Sequence, residues 1–273
     1  MTVGDALVTG AVIAVLTSAV IMVITTIVAR AQGRVVVVDT AWGLDLFAIA
    51  LVAAVMAVTS GDGDTWRSWL VTGAVGLWAL RLAWHMHRRG DGTEDPRYEK
   101  LLGGPLGRVG LGVAVRKVFA VQGLAAAVVA MPVAAGVFSQ VRWTWLVVVG
   151  LGVWAIGLFF ETVGDAQLAA YRAQSRDERP QVLDSGLWRY TRHPNYFGDA
   201  CVWWGLWLAA ALSSGWALGA ATVVAPVAMT YFLVRTTGAG LLEKTMMRRP
   251  GYPEYAERTS RFIPLPRRTR TTS

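Results

Sequence analysis

Residues 6–29 read ALVTGAVIAVLTSAVIMVITTIVA, a run without one charged side chain, closed by Arg30. A helix needs about 20 mostly apolar residues to cross a bilayer, and this run is long enough. It lacks a basic leader and exceeds the length of a signal-peptide core, so it reads as a retained helix. Working outward, six further apolar stretches follow: Val35 to Thr59, Trp69 to Trp84, Val118 to Val137, Trp143 to Phe160, Tyr196 to Leu212 and Trp216 to Val234. The expectation is an all-α, polytopic membrane protein of about seven helices. Residues 1–264 form one membrane-embedded domain, and 265–273 form a basic, disordered tail.

Composition agrees. Of the 273 residues, 54% are hydrophobic and 16% charged, against roughly 45–50% and 25% in soluble proteins. Mean hydropathy is +0.44. A soluble core could not hide so many apolar side chains. Cys201 is the single cysteine, which excludes an internal disulfide framework and any multi-thiolate metal site.

The net charge of +8 follows the helix ends. With the N-terminus outside, all but Arg67 and Arg142 of the 26 Lys and Arg lie inside or at inner helix ends. That is the positive-inside pattern, and it explains the basic pI near 10.1 without nucleic acid. The outer loops are short, so any chemistry is expected at the cytoplasmic face, with membrane lipids as neighbours.

Three segments concentrate candidate functional groups. Gly186 to Asp199, GLWRYTRHPNYFGD, places Arg189, Tyr190, Arg192, His193 and Asn195 before an apolar stretch that Pro194 can open as a helix. Two arginines, a histidine and a helix N-terminus suit a phosphate or carboxylate; interfacial anchoring by the same residues is the competing reading. Upstream, Glu161, Asp165 and, less closely, Arg172 share a helical face. Acids four apart repel unless an arginine, a hydroxyl or an amide bridges them. In Val38-Asp39-Thr40-Ala41-Trp42-Gly43, Asp39 lies about one turn inside the second apolar stretch, where a carboxylate is costly and therefore a functional candidate. A structural pair with Arg34 or Arg81 is the alternative. His85 and His87, two apart, do not share a helical face, so no metal is expected. The glycines between Gly103 and Gly112 read as a flexible connecting or re-entrant loop.

The segments VVDTAWG, EDPRYEKL, FETVGDAQLAAYR, GLWRYTRHPNYFGD and LLEKTMMRRPGYPEYAERTSRFIP, in that order, resemble a bacterial membrane family catalogued as domain of unknown function 1295. That family is grouped with the steroid 5α-reductases and sterol reductases. The resemblance implies an NADPH-dependent enzyme that reduces a carbon–carbon double bond conjugated to a carbonyl in a lipid or steroid-like molecule taken from the bilayer. By motif it implies cofactor contacts at Asp165, Arg172, Tyr190, Asn195 and Asp199. Glu161, Arg192 and His193 depart from the reductase pattern and join the set through their chemistry; Tyr196 and Arg258 complete it. The reductases polarise the substrate carbonyl with a glutamate and a tyrosine from early helices, for which Asp39 and Tyr98 are the candidates here. RHPNYFG followed by a tyrosine-rich segment and FIP also resembles membrane methyltransferases that bind S-adenosylmethionine. A non-catalytic lipid-binding protein is the third reading.

Overall fold

The computed structural model describes residues 1–90, 92–175, 177–236 and 239–267. Among them the secondary structure is helical, apart from one isolated parallel bridge between Thr191 and Ser260. The helices are α1 (Val3–Gln32), α2 (Val37–Ser60), α3 (Thr65–Arg89), α4 (Pro96–Leu102), α5 (Leu106–Val109), α6 (Leu111–Gly136), α7 (Thr144–Ala173), α8 (Pro194–Ala210), α9 (Trp216–Arg235), α10 (Ala239–Met246) and α11 (Tyr252–Arg258).

Five of them, α1, α2, α6, α7 and α9, are long and apolar enough to cross a membrane, which makes this an integral membrane protein. The other two expected spans form helices but fall short of that standard. α3 has 25 residues and carries arginines or histidines near both ends. α8 has 17 residues, about 25 Å at 1.5 Å per residue. The glycine-rich loop is also corrected: α5 and the first turn of α6 occupy it, and α6 starts at Leu111 rather than Val118. Gly103 (φ 91°) and Gly110 (φ 83°) provide the left-handed corners between these short helices.

The chain divides into two compact units. Unit one comprises Met1–Val147 and Leu206–Ala225; unit two comprises Val148–Gly205 and Pro226–Ser273.

In unit one, α1, α2, α3 and α6 pack against one another through small residues. A Cβ on Gly10 would meet the Ala135 backbone nitrogen at 2.8 Å, so only glycine allows α1 to approach α6 this closely. α1 starts with a capping box in which Thr2 accepts from the Asp5 amide and Asp5 accepts from the Thr2 amide. Within the bundle the Ser18 hydroxyl lies 2.6 Å from Asp45 Oδ2 and 3.0 Å from the Gly123 carbonyl, linking α1, α2 and α6 through one polar contact.

Arg67, expected in an outer loop, is instead fully buried. Its guanidinium donates to the carbonyls of Ala210 (2.7 Å), Gly136 (2.5 Å) and Ser139 (2.6 Å) and to Ser214 Oγ (2.6 Å). Gly136 ends α6 and Ala210 ends α8. A cation there meets carbonyls that have no partner within their own helices and the negative ends of two helix dipoles.

In unit two, α7 and α8 cross at glycines: a Cβ on Gly198 would lie 2.5 Å from the Gly157 carbonyl oxygen. The C-terminal segment straps this pair. Thr191 Oγ1 donates to the Phe262 carbonyl at 2.8 Å, the Arg192 amide to the Ser260 carbonyl at 2.9 Å, and the Leu265 amide to the Tyr190 carbonyl at 3.0 Å. Leu265 and Arg267 are therefore anchored where a disordered tail was expected; 268–273 lie outside the described residues.

Arg67→Met should destabilise unit one by about 1–3 kcal/mol, because it leaves the Ser139 carbonyl without its donor and removes one of two donors each from the Gly136 and Ala210 carbonyls. Unfolding in detergent micelles measures this, and Arg67→Lys should recover only part of the loss.

Candidate functional site

In unit one the site is built by the segment Glu94-Asp95-Pro96-Arg97-Tyr98 acting on the start of α2. That helix has no side-chain cap from its own N-terminal residue. Glu94 supplies one from 58 positions away, accepting from the Val35 amide at 2.5 Å and the Val36 amide at 2.9 Å. Asp95 caps α4 by accepting from the Arg97 amide at 2.8 Å, and Pro96 opens that helix. The Asp95 carboxylate also holds the Arg97 guanidinium at 2.8 Å, a contact that keeps the Asp95 carboxyl below its ordinary range.

Thus positioned, Arg97 lies 3.6 Å from Asp39 Oδ2, and the Tyr98 hydroxyl donates to Asp39 Oδ1 at 2.5 Å. The two residues named as the carbonyl-polarising pair are brought together. Asp39 pairs with Arg97 rather than with Arg34 or Arg81, because α4 places Arg97 over it. Burial, and then the Asp39 carboxylate, raise the Tyr98 phenol well above its ordinary value, so it keeps its proton. Asp39 and Arg97 line a cavity of about 720 Å³, within the 300–1,000 Å³ range of small-molecule sites. One wall is apolar, with Ile21, Ile24 and Val28 of α1 and Leu44 of α2; its rim is polar, with His87, Arg89 and Thr93.

Unit two gathers a second cluster. Glu243 Oε1 lies 3.0 Å from Arg192 Nε and 3.2 Å from His193 Nε2, and its Oε2 lies 3.2 Å from Arg261 Nε. Burial pulls the Glu243 carboxyl upward, but His193, Arg192 and Arg261 outweigh it and hold it below the ordinary range. Burial lowers His193, and its contact with Glu243 only partly offsets that. Tyr196 stacks on the His193 ring with centroids 5.4 Å apart. Asn195 donates to Asp165 at 3.1 Å, an amide contact of the kind the paired acids Glu161 and Asp165 require. Both acids are buried.

The other expected residues are Arg258, Tyr190, Arg172 and Asp199. Arg258 is held by Asp184 at 2.8 Å, as is Arg267 at 2.9 Å. Tyr190 is 44% exposed, and Arg172 lies in the last turn of α7. Asp199 belongs to the first turns of α8. Among the described residues, no group of three His, Cys, Asp or Glu is placed to hold a metal. Sequence reasoning passed over Glu94, Arg97, Glu243 and Arg261, although each lies in a motif singled out above. Apart from Asp95 beside Arg97, the partners that build the two clusters are 18 or more positions away, a distance at which no local pattern signals contact.

The family described as "Protein of unknown function (DUF1295)" matches residues 25–259. The chain belongs to that family. No curated protein and no solved structure matches it significantly.

A double-mutant cycle with Tyr98→Phe and Asp39→Asn, read by unfolding in micelles, should return a coupling of about 1.5–3 kcal/mol, as for a hydrogen bond to a charged group. Acidification should weaken unit two in two stages. His193 binds its proton more readily in the unfolded chain, so stability falls as pH drops below about 6.5. Glu243, held low when folded, adds a further loss below about 4.3. Melting temperature against pH measures both, and His193→Gln should remove the first.

Proposed function

We propose that the protein is a membrane-bound reductase that uses NADPH to reduce a carbon–carbon double bond conjugated to a carbonyl in a lipid-like substrate. The observation that carries this reading is the Tyr98–Asp39 hydrogen bond beside Arg97, at the polar end of a cavity with an apolar wall. A lipid enone needs an apolar surface for its body and a proton source with positive charge at its oxygen.

The donor set in unit two fits a dinucleotide. Arg192 and Arg261 face one carboxylate, which leaves one positive charge for a phosphate, and Asp165 can accept from a ribose hydroxyl. Arg192, His193, Asn195 and Asp165 would hold NADPH, which supplies a hydride when bound. The chain's own residues do the rest. Arg97 stabilises negative charge developing on the carbonyl oxygen. Asp39 rests as the carboxylate and relays the proton that completes the reduction, taking it up at Oδ2 from water at the polar rim and passing it to the substrate, while Tyr98 is a positioning residue that fixes Oδ1.

In this reading α3 and α8 also cross the bilayer, making seven spans with the N-terminus outside, the C-terminus cytoplasmic, and the site at the inner face of a bacterial inner membrane. The outward-facing apolar residues of α3, among them Leu70, Leu77, Leu80 and Trp84, support its crossing. Trp66, Trp69, Trp145 and Trp216 are exposed beside the short loops, where an interfacial aromatic belt belongs. Reporter fusions at Gly63 and Ser213 should report the outside, and fusions at Thr93 and Asp177 the cytoplasm.

Asp39→Asn should lower single-turnover reduction of an enone lipid by about 100-fold or more, and leave NADPH affinity within about twofold, because a group acting on the chemical step contributes nothing to cofactor binding. Fluorescence titration and NADPH oxidation measure the two. Saturable binding of S-adenosylmethionine without NADPH binding would favour a methyltransferase, and binding of neither would favour a non-catalytic lipid-binding protein.

A further inference from the structure

We propose that Glu243 is an internal occupant of an anion site formed by Arg192, His193 and Arg261, and that a ligand phosphate displaces it, releasing α10. The proposal rests on the reductase reading only for the ligand's identity as NADPH; the displacement itself applies to any soluble phosphate or diphosphate.

The charge balance points this way. One carboxylate faces two guanidinium groups, so the cluster retains one positive charge with His193 neutral. The three groups converge on two oxygens, with His193 and Arg192 both at Oε1. A phosphate monoester carries about −1.5 to −2 charge and three acceptor oxygens, so it can give each group its own oxygen and neutralise both arginines. The carboxylate is an adequate occupant and a phosphate is a better one.

The supports on either side of the site differ. Arg192 and His193 are held by the strap: the Arg192 amide donates to Ser260, the His193 amide donates to Thr191 Oγ1 at 3.3 Å, and Thr191 is fully buried. Removing Glu243 leaves these bonds in place. α10, in contrast, is a helix of 8 residues whose Leu242, Lys244 and Thr245 are exposed, while Glu243 is its inserted polar group. The cations belong to a wall held by the strap, and the carboxylate belongs to a separate short helix that exposes Leu242, Lys244 and Thr245.

The test uses the full chain in detergent, with inorganic pyrophosphate and NADPH as separate probes. Glu243→Gln keeps the shape and removes the competing charge, so it should tighten pyrophosphate binding by about tenfold or more, as expected when a buried ionic competitor is removed. In the wild type, saturating pyrophosphate should accelerate tryptic cleavage after Lys244 and Arg248, whereas a ligand that merely covers the segment would protect it. This second measurement decides the matter if the variant fails to fold. Weaker or unchanged binding in a folded Glu243→Gln protein would mean that Glu243 is a clamp that orients the arginines, and the proposal falls. It also falls if neither protein binds pyrophosphate, or if cleavage is unchanged or slowed. If pyrophosphate behaves as expected while NADPH binds to neither protein, displacement stands and the reductase reading loses its cofactor.

Discussion

An unpaired backbone amide or carbonyl in apolar surroundings costs several kcal/mol, and this constraint shapes unit one at helix ends of both kinds. Where α6 and α8 end, Arg67 provides donors to carbonyls that their own helices leave open. Where α2 begins, Glu94 provides acceptors to the Val35 and Val36 amides. A cation sits at helix C-termini and an anion at a helix N-terminus, the arrangement that the dipoles favour. Both charges come from outside the helices they cap, so each cap is also a tertiary tie.

The candidate site depends on the second of these ties. Glu94 holds the start of α2 against the residues that precede α4, and the next four residues follow from that attachment. Asp95 and Pro96 open α4, Arg97 is oriented by Asp95, and Tyr98 reaches Asp39. A short polar segment thereby gives Asp39 two partners without adding a spanning helix. The cavity beside it combines an apolar wall with a charged rim because it lies where α1 and α2 reach their polar ends.

Unit two solves a different problem, that of holding several arginines in one place. The strap formed by Ser260, Phe262 and Leu265 fixes the backbone on either side of Thr191, and the phenyl rings of Phe160, Phe197 and Phe262 pack edge to face beneath it. The guanidinium groups are then gathered by a carboxylate on a separate short helix.

The helices themselves were legible in the sequence. A run such as Ala6 to Ala29 has no alternative to a membrane helix, and α1, α2, α6, α7 and α9 all coincide with apolar stretches, since apolar length is a local property. The order of motifs was likewise enough to recognise the family. Asp39, His193 and Asn195 stood out because a charge deep in a span and a histidine before a helix-opening proline are local anomalies. Only the tertiary structure decided their partners. The resemblance named Asp39 and Tyr98 together, but nothing near Asp39 in sequence points to Arg97, and nothing near His193 points to Glu243, because these contacts join segments 50 or more positions apart. Arg67 reads as an outer-loop charge until α6 and α8 end around it, for burial belongs to the packed bundle and no stretch of chain carries it alone.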